Sequence, residues 1–269
     1  MPKVTSMLSK GNDNFFSIII DRKCISNDGQ LFEYTDETGE KIAEATYIKN
    51  SILISNFNSK KINLKIKLVD LKLDNIIIQN LDSNKKPSGN INLVVSRDCF
   101  INSYKITAKK LRILSISTII TKQLAYYTDE VIIDGDINAD RVHIEAKNII
   151  LAATVCATET IFFKVEKLHV LATGKLLTLE ASMREMRYYL ENRNGAKNTS
   201  VEKNSALSKQ SLFFKSIQFK ELTSIVVEGE IFAGLLLDCH PSQDITIAVG
   251  GKLSSGVELN CFAEREVFA

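Results

Sequence analysis

Two histidines and a group of aspartates are the side chains best suited to chemistry in this chain. His143 and His169 occupy matching places in two similar segments, Ile137-Asn138-Ala139-Asp140-Arg141-Val142-His143-Ile144 and Phe163-Lys164-Val165-Glu166-Lys167-Leu168-His169-Val170. If those segments lie on adjacent strands, the imidazoles stack at ~4.8 Å, the spacing of neighbouring strands. With Glu145 and Glu166 close in sequence, the pair could hold a metal ion or exchange a proton. The glutamates are not equivalent, however, since one follows its histidine and the other precedes it. A solvated polar row accounts for exposed strand histidines more simply. His143 and His169 therefore stand only as metal-ligand candidates.

Asp134-Gly135-Asp136, with Asp140 nearby, forms an acidic corner. Paired carboxylates cleave glycosidic bonds when they stand ~5 to 9.5 Å apart. Asp-Gly is also the ordinary chemistry of a tight reversal, and the turn is the reading taken here. There is no nucleophile elbow, P-loop or dinucleotide fingerprint; Gly250-Gly251 is an isolated pair at a turn. Neither a catalytic set nor a cofactor is expected.

Cys24, Cys99, Cys156, Cys239 and Cys261 show no paired metal-binding spacing and read as reduced thiols packed as small hydrophobes. Lys60-Lys61, Lys85-Lys86 and Lys109-Lys110 fall at corners, without the interleaved aromatic residues of single-strand binders. With a formal net charge of +2, no nucleic-acid partner is expected.

The elements that must carry these residues are strands. Both histidine segments place apolar residues at offsets 0, 2, 5 and 7, which describes a short strand, a one-residue break and a second short strand. The pattern recurs at Leu64, Ile66, Val69 and Leu71, at Ile106, Ala108, Leu111 and Ile113, and at Ile119, Thr121, Leu124 and Tyr126. It predicts a β-solenoid with a dry core of Ile, Val, Leu and Ala and its polar residues outward. Right-handed winding is favoured on chirality grounds. Near the C-terminus, Ile231, Ala233, Leu235, Leu237 and Cys239 are matched by Leu253, Ser255, Val257, Leu259 and Cys261. That match sets the last two cysteines in equivalent slots, as a sulfur row rather than a disulfide.

The expected architecture is all-β: a right-handed parallel β-solenoid carrying an inserted α-helix and flexible loop. Residues 1–50 form an N-terminal cap, 51–179 the solenoid body, 180–211 the insertion and 212–269 the C-terminal rungs and cap. In the cap, Phe15 to Asp21 and Leu31 to Tyr34 read as a hairpin around Asn27-Asp28-Gly29. In the insertion, Met183, Met186, Tyr189 and Leu190 fall at helical spacing between Arg184, Glu185, Arg187 and Glu191. The stripe is expected to pack on the solenoid flank. Met183, Met186, Arg187, Tyr189 and Leu190 form the candidate interaction surface. No secretory leader and no ~20-residue apolar span are visible, which predicts a cytoplasmic protein or one exported without an N-terminal leader.

Ile133-Asp134-Gly135-Asp136-Ile137-Asn138-Ala139-Asp140-Arg141-Val142-His143-Ile144 resembles the G-x-I-x-A-x-x-V-x-I rung of bactofilins. These are bacterial right-handed β-helix proteins that polymerise into cytoplasmic scaffolds. The segment also resembles repeats of haemagglutinin-type secreted β-helices. The resemblance implies a scaffold or protein-interaction role, through self-association or a protein partner. The tail Asn260 to Ala269 is faintly similar to the C-terminal signals of type IV secreted effectors. That likeness implies an effector acting on a host component through the insertion and corner loops. Polysaccharide-degrading β-helices share the architecture, but their Gly-His-Gly and paired-Asp motifs are absent, so a carbohydrate-active enzyme is the third expectation.

Overall fold

The structure is a computed structural model and describes residues 3–8, 14–22, 29–56, 62–186, 215–239, 241–261 and 266–268. Among the described residues, twenty-three strands belong to one large mixed sheet, in which nearly all pairings are parallel. Alternating β-branched and polar residues favour strands, and Pro is confined to three positions. Among the described residues the only α-helical stretch is 183–186. No helix among them is long and apolar enough to cross a membrane.

The strand pairings fall into three rows. The first contains β2 (Phe16–Asp21), β6 (Asn63–Val69), β8 (Asn90–Val95), β10 (Lys110–Ile113) and β12 (Glu130–Ile133). It continues through the ends of β13 (Asp136–Leu151) and β14 (Thr154–Val170) to β17 (Ser224–Val227), β20 (Asp244–Ile247) and β23 (Glu266–Phe268). In the second row the openings of β7 (Lys72–Asn80) and β9 (Phe100–Thr107) pair with each other. From the opening of β11 (Thr118–Tyr127) it runs through the openings of β13 and β14 to β15 (Lys175–Thr178), β18 (Glu230–Ala233) and β21 (Lys252–Ser255). The third row joins β5 (Ser51–Asn56) to the ends of β7, β9 and β11 and the middles of β13 and β14. It ends with β16 (Ser216–Lys220), β19 (Leu236–Cys239) and β22 (Glu258–Cys261).

Between residues 63 and 261 the chain visits the first, second and third rows in that order eight times. Each visit is one circuit. Successive circuits are offset by about one strand spacing because their strands pair directly. Circuits differ in length: Ile137 faces Val155 early in the stack, whereas Ile231 faces Leu253, a longer step along the chain.

The inward positions make one apolar core. Ile66, Leu93, Ile113, Ile133, Leu151 and Val170 follow one another up the first row, all fully buried. The predicted quartets at 106–113 and 119–126 are inward as read. At 64–71, Leu64, Ile66 and Leu71 are inward as expected, and one position differs. Leu68 is buried and Val69 is not, because the reversal falls on Asp70, whose φ of 48° lets the chain turn there. Glycine is required at the corner residue 135, where a Cβ would stand 2.5 Å from the Leu114 carbonyl oxygen.

The N-terminal region differs from the hairpin expected. β2 joins the first row, parallel to β6. β3 (Leu31–Thr35) pairs instead with β4 (Lys41–Ile48), antiparallel, and with β1 (Lys3–Met7), parallel. β4 also runs antiparallel to β5, so it closes the third row at that end. Sequence distance misled the prediction: Phe16 finds Leu64 across an intervening antiparallel excursion.

Candidate functional site

His143 and His169 do not meet. β13 and β14 are adjacent, but His143 stands opposite Phe162 in the third row, whereas His169 stands opposite Ile150 in the first. The spacing 0, 2, 5, 7 recurs at successive corners. Ile137 and Phe163, which head the two matching segments, are therefore one circuit and one further row out of phase. Similar sequence here signals a similar corner and not the same face.

Each imidazole has a carboxylate of its own. His143 Nε2 lies 2.9 Å from Glu145 Oε1, on the same strand face. His169 Nε2 lies 2.7 Å from Glu228 Oε1. The His143 ring is stacked between Tyr127 and Phe162, with centroids 5.9 and 4.9 Å away and planes tilted by 38° and 31°. Lys105 Nζ stands 5.5 Å from the Tyr127 centroid, and Lys220 Nζ stands 5.3 Å from that of Phe162. The five side chains form a file along the third row, with cations over the outermost rings. Ring faces in this file are covered by one another, so a ligand would meet edges. Composition could not reveal this group, since its members come from five strands; knowing the circuit length would have.

The acidic corner is engaged residue by residue. Arg112 Nε donates to Asp134 Oδ2 at 2.6 Å, the Thr154 amide to Asp136 Oδ1 at 3.1 Å, and the Thr158 hydroxyl to Asp140 Oδ1 at 2.8 Å. Arg141 pairs with Glu159 beside them. The carboxylates bind the neighbouring circuit, which is turn and ladder chemistry. Among the described residues no three His, Cys, Asp or Glu side chains gather in a way that could hold a metal ion.

Cys239 and Cys261 stand opposite each other in register, both as free thiols. The hydrogen bond with Cys261, followed by burial, pushes the Cys239 thiol well up and keeps it protonated. Burial raises Cys99 and Cys156 as well.

The insertion leaves the second row after Thr178 and returns at Lys215. Ser182 and Glu185 make a capping box: the Ser182 amide donates to Glu185 Oε2 at 2.7 Å, and the Glu185 amide to Ser182 Oγ at 3.3 Å. Lys215 Nζ donates to the same Glu185 oxygen at 2.8 Å and to the Glu180 carbonyl at 2.9 Å. These bonds hold the Glu185 carboxyl down at about 2, the Lys215 bond being the larger cause. Below them, the buried Thr178 hydroxyl donates to the Lys215 carbonyl at 3.1 Å and accepts from the Gly234 amide at 2.7 Å. Met186 packs on the cluster of Ala181, Leu235 and Leu236, as expected of the helix stripe, whereas Met183 is 80% exposed. Arg187, Tyr189 and Leu190, the rest of the proposed interaction surface, lie outside the described residues, as do His240 and Cys24.

Comparison of the chain with protein-family models, with curated proteins and with solved structures finds no match.

Proposed function

We propose that the three rows close into a right-handed parallel β-solenoid, and that the chain serves as a non-catalytic scaffold or protein-interaction module. Closure is supported by the constant order of visits and by inward apolar residues on all three rows. Right-handedness rests on the strong bias of parallel crossovers. The observation that carries the functional reading is the use of polar side chains between circuits. Arg112–Asp134, Thr158–Asp140, Arg141–Glu159 and His169–Glu228 each bind one circuit to another. Side chains used this way brace neighbouring circuits against each other, which suits a surface that presents itself to proteins. The bactofilin-like rung at 133–144 points the same way, toward self-association in a cytoplasm.

Light scattering on the full-length protein over a concentration series tests this reading. Mass is expected to rise with concentration above the 30.1 kDa of one chain. A species that stays at that mass throughout would overturn the reading as a self-associating scaffold.

The anchored insertion supports a second reading. Exposed Met183, beside a helix start fixed by Glu185 and Lys215, supports docking of a partner protein there, as an exported effector would use it.

A further inference from the structure

Cys239 and Cys261 face each other across the last two described circuits, in register and both turned to the core. In-register residues on paired strands lie about 4.8 Å apart, inside the roughly 4.4–6.8 Å between the Cα atoms of a disulfide. The corner just before β22 is equally tight, since a Cβ on Gly256 would stand 2.3 Å from the Gly234 carbonyl oxygen. Cys99 and Cys156 do not share this arrangement. Cys156 stands between Asn138 and Leu177 in its row, and the Cys99 thiol is bonded to backbone at Leu71 and Ser96.

Exposure separates the two facing thiols. Ile231 and Leu237 are fully buried, but their partners in the last circuit, Leu253 and Leu259, are partly exposed, Leu259 by 47%. Cys239 is likewise fully buried, whereas Cys261 is half-buried. The Cys239 S–H donates to the Cys261 sulfur, which lowers the Cys261 thiol from its ordinary value despite burial and the Asp238 charge. The more accessible sulfur is thus the better nucleophile, and the buried one keeps its proton. A disulfide brings its Cβ atoms to about 3.8 Å, closer than the strand spacing. Among the described residues β22 pairs with β19 alone, so it is free on its other side to make that move.

We propose that Cys239 and Cys261 are an oxidant-sensitive pair that fastens the last circuit to the one before it, Cys261 reacting first with hydrogen peroxide and Cys239 completing the bond. The Cys261 thiolate attacks one peroxide oxygen; an S–O bond forms, the O–O bond breaks, and hydroxide leaves to take up the proton that Cys261 released. The Cys239 sulfur then attacks the resulting sulfenic acid. An S–S bond forms, the S–O bond breaks, and the departing hydroxyl takes the Cys239 proton as water. Both thiols are oxidised and one peroxide is reduced to water. A reducing cytosol keeps the pair as thiols, so the bond records contact with an oxidant. The pairing holds whether or not the chain self-associates.

The test is treatment of the folded full chain with hydrogen peroxide, then alkylation of the remaining thiols and mapping of linked peptides by mass spectrometry. A link between Cys239 and Cys261 is expected, with the loss of two hydrogens and full reversal by dithiothreitol. Amide exchange across 258–261 should slow at least about tenfold in the linked form. Cys261→Ala should leave Cys239 unmodified, while Cys239→Ala should let dimedone trap a sulfenic acid on Cys261. Circular dichroism checks that each variant keeps its strands; should either unfold, the map of the unaltered chain decides. Oxidation of Cys99 or Cys156 ahead of the pair, a link between two chains, or Cys261 carried to sulfinic acid beside a reduced Cys239 would overturn the pairing. So would thiols that stay unmodified in peroxide that oxidises free cysteine. A link that leaves exchange across 258–261 unchanged would defeat the fastening role.

Discussion

Tyr104 and Tyr126 bring ring hydroxyls into the middle of an apolar interior, and neither hydroxyl has a hydrogen-bond partner among the described residues. Burial pushes both phenols well above their ordinary range and keeps them neutral. A buried hydroxyl without a partner costs about 1–3 kcal/mol of desolvation, while the ring itself fills core volume. Tyr126→Phe is therefore expected to raise the stability to urea unfolding by about 1 kcal/mol; a loss of similar size would show that the hydroxyl has a partner. The sequence marked Tyr126 as an inward residue through its spacing from Leu124. Nothing in the spacing could show that its oxygen would be stranded, because the surroundings come from other circuits.

At the scale of elements, the start of the insertion depends on one carboxylate. Glu185 caps Ser182 and binds Lys215, and its pKa is lowered from an ordinary 4.5 to about 2. A depressed carboxyl contributes stability that is present above its unfolded value and is lost as pH falls through the folded one. The cap should accordingly hold at pH 5 and release between about 4.5 and 2, earlier than the rows. Amide exchange at Glu185 and Met186 followed across that range reads the release; protection unchanged to pH 2 would show that other contacts hold the turn. Glu185→Gln should give the released pattern already at neutral pH. Of the helix expected from the period of Met183, Met186, Tyr189 and Leu190, the described residues include only its first turn, 183–186. Its cap, Ser182-x-x-Glu185, is a signature the sequence reading missed, and the third member, Lys215, stands far along the chain, where only the return of the insertion brings it in. The histidines were misplaced for a related reason. The 0, 2, 5, 7 spacing marks a step from one row to the next, and with three rows it cannot say which step.

For the molecule as a whole, inward positions were legible wherever strands alternate strictly, and the row assignments were not. Row assignment depends on circuit length, which differs between the pairs Ile137–Val155 and Ile231–Leu253. One corner shows how this arises: β13 turns on Asp140 alone, while β14 uses Thr158 and Glu159, and the pairing shifts there. Such local slack leaves the core intact because each strand pairs only with its neighbours in its row. The same slack scrambles any attempt to align the repeats by eye.

The place where the insertion leaves and rejoins has one more consequence, for how the chain can be rebuilt. Lys215 touches Glu180 and Glu185, and the Thr178 hydroxyl holds its carbonyl, so departure and return meet at one point. Lys167 must nonetheless find Ser224 across the whole insertion, a far longer loop than the one Ile137 closes on Val155. By loop-closure entropy the longer route costs about 1 kcal/mol more. Replacing residues 187–214 with a short Gly-Ser linker should thus speed refolding in stopped-flow measurements and leave the melting temperature the same or slightly higher. A collapse of the melting temperature would mean that the replaced residues brace the rows. If the expected result holds, this junction is a graft point, where a foreign loop or reporter can be spliced into the side of the stack without disturbing the circuits above and below.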